Sequence, residues 1–145
     1  MTVCFSQPFR RIVFPVFPVE IGTIILVAVT LTLFDSIYLY IMKDFFDKQI
    51  SLVQGSGIKL NMYAAILCYV ALVVGLYYFI IKDGRSIYEA FLLGIVIYSV
   101  YDLTSLALLK NWSVKTAIID TLWGGILFTL TTLAVYKLLA MSRKM

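Results

Sequence analysis

Histidine is absent from the chain, which removes haem ligation through imidazole, Ser-His-Asp hydrolysis and the usual zinc hydrolases from consideration. The only two cysteines, Cys4 and Cys68, are isolated, and Cys68 lies inside an apolar run, so neither a disulfide framework nor a cysteine-ligated zinc fits. Charged residues are scarce at 14%, and the Lys and Arg residues behind the net charge of +4 form no block or stripe of the kind that binds nucleic acid. In their place stands apolar surface. Of the 145 residues, 62% are hydrophobic, and the mean hydropathy is +0.98. A domain of this length has too little interior to hide that much, so lipid must cover much of it.

Four apolar stretches have spanning length: 21–42, 61–81, 87–109 and 114–136. About 20 residues cross a hydrocarbon core as a helix, and these runs are too long, and too free of period-two alternation, for barrel strands. The expected fold is therefore all-α, an integral membrane four-helix bundle, antiparallel and up-and-down. The three prolines all lie at the start, Pro8, Pro15 and Pro18, among Phe5, Phe9, Phe14 and Phe17. Proline removes backbone donors, so residues 1–19 read as an interfacial arm rather than a regular helix, and the missing small-residue cleavage site argues against a cleaved signal. Residues 20–140 form the single transmembrane domain, and 141–145 a basic tail.

The connections carry their own signals. Lys43–Leu60 mixes Phe45, Phe46, Ile50, Leu52 and Val53 with charges before Gly55-Ser56-Gly57, the pattern of a short interfacial helix ended by glycine. Lys82–Ser86 is a tight turn through Asp83-Gly84, and Lys110–Ser113 is shorter still, with Ser113 placed to cap the fourth helix. Short turns make helices two and three, and three and four, antiparallel neighbours. Trp112 reads as an interface anchor. Arg10, Arg11, Lys82, Arg85, Lys137, Arg143 and Lys144 lie on the side of the termini, against Lys43, Lys48, Lys59, Lys110 and Lys115 on the other. This excess makes the chain a multi-pass protein with both termini cytoplasmic by the positive-inside rule.

Three aspartates fall well within the spans: Asp35, Asp102 and Asp120. A carboxylate in hydrocarbon costs roughly 3 kcal/mol even on the lenient insertion scale. Asp35 lies seven residues before Met42, Asp102 seven before Leu109, and Asp120 six after Val114. At about 1.5 Å per residue all three sit roughly 9–11 Å below one membrane face. Thr32 and Tyr38 flank Asp35 at helical spacing. Gly94, Tyr98, Asp102 and Ser105 form a stripe with Tyr101 and Thr104 at its edges, and Thr116, Asp120, Trp123, Gly124 and Thr131 form another. Tyr69 offers a hydroxyl at similar depth on the second helix. Gly94 and Gly124 suit close backbone approach. The candidate polar site is thus Asp35, Asp102 and Asp120 with Tyr38, Tyr98, Tyr101, Thr104, Ser105 and Trp123. No Lys or Arg lies at that depth, so compensation falls to protons, hydroxyl donors or a bound cation.

The stretch Tyr101-Asp102-Leu103-Thr104-Ser105-Leu106-Ala107, running on through Leu109-Lys110-Asn111-Trp112, resembles the central motif of a family of small four-span membrane proteins. That family is known only as a domain of unknown function, from bacteria, algae and large DNA viruses. Asp120-Thr121-Leu122-Trp123-Gly124 resembles its second motif and Phe34-Asp35 its first, over roughly residues 20–140. Asn111 stands where glycine is expected and Ser105 where asparagine is common. The resemblance implies a four-helix fold with the three aspartates as signature, and brings no activity, cofactor or partner with it.

Three functions remain in play. One is a carrier, channel-like or sensor protein whose carboxylates bind a proton, a cation or a small polar solute; four short helices would then suit a homo-oligomer. Another is a structural or assembly subunit of a larger membrane complex. The third, a divalent-ion enzyme acting on lipid phosphate, is weakened because the only DxxD pair, Asp44 and Asp47, lies in a loop. No cofactor is implied, an enzyme is the lesser expectation, and a retinal protein lacks its mid-span lysine.

Overall fold

The computed structural model describes residues 18–142. They form five helices: α1 (Pro18–Ile41), α2 (Lys43–Gln54), α3 (Met62–Leu76, continued as a π-helical turn Tyr77–Ile81), α4 (Ile87–Leu108) and α5 (Val114–Ser142). No strand occurs among the described residues. α1, α3 with its π turn, α4 and α5 are each long and apolar enough to cross a membrane, at Glu20–Ile41, Met62–Ile81, Ile87–Leu108 and Val114–Ser142. Most of the expected arm, residues 1–17, lies outside the described residues, as do Arg143 and Lys144 of the tail.

Local chemistry sets the helix ends. α1 begins at Pro18, the first helical position, where the missing N–H has no intrahelical partner to lose. Asn61 accepts the Ala64 N–H to start α3, and Ser86 with Glu89 forms a capping box at α4. Ser113 Oγ accepts the Thr116 N–H at 3.0 Å, the cap expected for the last span. α2 is the short helix anticipated between the first two spans. It ends at Gly55, whose φ of +73° lets its N–H reach the Ser51 carbonyl. The turn before α5 contains the one non-glycine residue with positive φ among those described, Asn111 at +66°. That backbone explains why glycine suits this position, and asparagine is the side chain that best tolerates it.

The spans are not packed equally closely. α4 lies closest along α5, α5 on α1, and α1 on α3. α3 and α4, joined by a tight turn, approach one another less closely and meet through side chains of the shared apolar cluster. The close contact belongs to the other hairpin. Gly94 of α4 lies against the Gly124 carbonyl of α5, where an added Cβ would overlap the backbone oxygen. Tyr98 covers Gly124, and Phe91 covers Gly125. Lipid offers no hydrophobic drive to join helices, so close backbone approach through small residues decides which pair forms.

Inward, Val27 and Leu31, Leu72 and Leu76, Ile80, Ala90, and Leu127, Phe128 and Val135 make one apolar cluster. Outward, the spans expose large apolar side chains such as Val29, Val70, Val96 and Leu122, each about half exposed or more, as a lipid-facing surface requires. The last helix continues beyond residue 136 because Leu139 still packs on the core. There Tyr136 Oη donates to the Arg85 carbonyl at 2.7 Å, tying α5 to the α3–α4 turn, while Arg85 pairs with Glu89 at 3.1 Å.

Candidate functional site

Asp35 is 7% exposed and both of its oxygens are engaged. Tyr69 Oη of α3 donates to Oδ2 at 2.5 Å, and Trp123 Nε1 of α5 donates to Oδ1 at 2.9 Å. One carboxylate therefore joins three helices. Tyr38, one turn further along α1, stacks on the Trp123 indole with centroids 4.2 Å apart and planes 9° from parallel. Its hydroxyl donates to Asp120 Oδ1 at 3.4 Å, a long and weak bond.

Asp102 is arranged differently. It is wholly buried, Thr121 Oγ1 donates to its Oδ2 at only 3.4 Å, and its Oδ1 has no partner. Trp112 Nε1 is also buried without a hydrogen-bond partner, and that N–H stands beside the Asp102 carboxyl without meeting hydrogen-bond geometry. Trp112 is thus no interface anchor. It is 8% exposed and folds inward from the turn, its ring meeting Tyr101 edge to face at 6.1 Å. Asp120 lies within electrostatic reach of both other carboxyls.

The remaining residues divide cleanly. Tyr98 and Ser105 face inward with Asp102, Ser105 being 8% exposed. Tyr101 is 57% exposed and stands at the edge of the layer, within electrostatic reach of Asp102, while Thr104 and Thr32 are exposed and stand outside it. Two residues outside the candidate polar site also take part, Thr121 and Trp112. Thr121 contacts Asp102, and the hairpin register held its signal, since Asp102 and Asp120 are each nine residues from Asn111. Trp112 had none, because an aromatic at a helix end ordinarily marks the headgroup level.

α2 lies across this end of the bundle. Gln49, 5% exposed, donates to the Asn111 carbonyl at 2.9 Å and accepts from Thr116 Oγ1 at 2.9 Å. Asn111 Nδ2 returns a bond to the Leu52 carbonyl at 3.1 Å, and Phe46 packs edge-on against Tyr38. Asp44 and Asp47, expected in a loop, lie on α2 itself, and Asp47 accepts the Ile58 N–H at 3.0 Å. On the inner side Leu31 and Phe128, both fully buried, lie about one turn below Asp35 and Trp123 and seal the layer with apolar bulk. Among the described residues no three His, Cys, Asp or Glu side chains lie close enough to share a metal ion, and the ion pairs are confined to Arg85 with Asp83 and Glu89.

A family model described as "Predicted membrane protein (DUF2177)" matches residues 21–137, a stretch that takes in the greater part of every span and the whole carboxylate layer. The chain belongs to this family. Membership agrees with the resemblance carried by the YDLT and DTLWG segments, and the family's description states a membrane protein and no activity. No curated protein and no solved structure matches the chain.

Proposed function

We propose that this membrane protein binds and exchanges a proton, a small cation or a small polar solute at Asp102 and Asp120. Asp35 serves instead as the bond that holds α1, α3 and α5 together. The reading rests on the contrast between the carboxyls: Asp35 has both oxygens saturated at short range, whereas wholly buried Asp102 keeps one oxygen unpartnered. Buried polar groups are normally satisfied, and an unsatisfied one in an otherwise well-packed interior commonly marks a working group. With α2 across one side and the Leu31–Phe128 layer on the other, the site is covered at both ends. That arrangement suits a sensor or an exchanging receptor better than an open channel.

The test is the thermal stability of the purified full chain in micelles across pH and across added Na⁺, K⁺ and Mg²⁺. A shift with pH or with one cation is expected in the wild type and is lost in Asp102→Asn, which should otherwise be as stable as the parent. If Asp102→Asn leaves every such response intact, Asp102 is not the exchanging group. In that case the assembly reading, in which all three aspartates only join helices, takes its place; the saturated Asp35 already favours it at that one position.

The orientation we propose places both termini in the cytoplasm and the carboxylate end on the opposite face, from the seven-to-five excess of basic residues on the side of the termini. A reporter fused after Met145 that is active only in the cytoplasm should be active, and a silent reporter reverses the assignment.

A further inference from the structure

Asp102 Oδ1 is a buried acceptor without a donor, and Trp112 Nε1, beside the same carboxyl, is a buried donor without an acceptor. Short of a direct bond between the two, whatever satisfies both must offer a proton toward Asp102 and a lone pair toward Trp112. We infer that a single water molecule bridges Trp112 and Asp102, and that the species exchanged at this carboxyl is therefore the proton and not a metal cation. The inference rests on the reading of Asp102 as the exchanging group and names its ligand.

The chemistry is selective. Water or a hydroxyl supplies a donor and an acceptor at once, and buried waters typically sit where otherwise unpaired polar groups converge. A bare cation on Asp102 Oδ1 would face the positive end of the indole N–H dipole, and indole nitrogen carries no lone pair to ligate it. Mg²⁺ and Ca²⁺ need six or more oxygens, and no cluster of three acidic or thiol ligands is present among the described residues. The titratable groups facing Asp102 are Asp120 from α5, Tyr38 from α1 and Tyr101 from α4 itself, and none of them is a cation.

Infrared difference spectroscopy of the full chain in lipid vesicles, stepped in pH, decides the matter. A carboxyl C=O band that responds to pH should disappear in Asp102→Asn. A water O–H band that shifts in H₂¹⁸O should appear in the wild type and vanish in the same variant. Trp112→Phe keeps the ring, removes the N–H and should displace the pH midpoint by about one unit, a tenfold change in proton affinity. Na⁺, K⁺ and Mg²⁺, exchanged for choline at constant ionic strength, should change neither band. A saturable cation effect lost in Asp102→Asn would overturn the proton assignment while leaving Asp102 as the exchanging group. A pH-sensitive carboxyl band without the ¹⁸O-sensitive water band would show Trp112 bonding Asp102 directly and remove the bridging water, and this holds even if Trp112→Phe fails to fold. No pH or cation response that depends on Asp102 would bring down the underlying reading as well.

Discussion

Gly94→Ala is expected to destabilise the bundle by about 2–3 kcal/mol, whereas the same change at Gly75 is expected to raise stability by up to about 1 kcal/mol. A methyl at Gly94 meets the Gly124 carbonyl oxygen and carbon and the Gly125 Cα, all backbone atoms that no rotamer change can move aside. Relief requires α4 to withdraw from α5, which removes Tyr98 from Gly124 and Phe91 from Gly125 as well. Because dispersion and close backbone contact dominate helix association in lipid, a small withdrawal is costly. A Cβ at Gly75 meets nothing within 4 Å, so only the gain in helix propensity remains. Unfolding in mixed micelles, followed by circular dichroism, measures both. Equal effects at the two glycines would mean that the α4–α5 contact is not formed.

Asp35→Leu should cost about 2–4 kcal/mol, while Asp102→Asn should be neutral or mildly stabilising. Leucine at position 35 leaves the Tyr69 hydroxyl and the Trp123 N–H facing an apolar group, and each buried orphan costs about 1–3 kcal/mol. α3 loses the most, since its closest approach to another span is to α1 and Tyr69 is its hydrogen bond to that helix. Adding Tyr69→Phe to Asp35→Leu should recover part of the loss, with a coupling of about 1–2 kcal/mol, because the hydroxyl orphan is then removed and only the Trp123 N–H stays unpaired. At Asp102 only one long bond, to Thr121, is at stake, and asparagine removes the charge while retaining an acceptor. The reverse order of costs would make Asp102 the structural carboxylate and Asp35 the candidate for exchange.

The two carboxyls look alike in the sequence, and the structure separates them for a physical reason. Each lies seven residues from the end of its span, so depth, which needs only a rise per residue, was readable directly. Which oxygens find donors depends on how each helix is rotated about its axis. The spans are apolar on nearly every face, because lipid and core are equally apolar, so hydropathy carries little of that rotation. The small and polar stripes carried part of it. Gly94, Asp102 and Ser105 do face inward together, and so do Thr116, Gly124 and Thr131. The stripe edges were less informative, and Thr104 and Thr32 turned out to be exposed.

What the sequence determined by itself is therefore everything local: the four spans with all but the last of their ends, the glycine-ended short helix between the first two, the Ser113 cap and the common level of the three aspartates along their helices. Hydropathy, caps and rise are properties of one helix at a time. Only the tertiary structure decided that α3 approaches α1 more closely than α4, that α2 clamps the far turn through Gln49, and that Trp112 folds in toward Asp102. Those outcomes turn on contacts between helices, where the Gly94–Gly124 approach and a few hydrogen bonds outweigh an apolar surface that is nearly the same on every side.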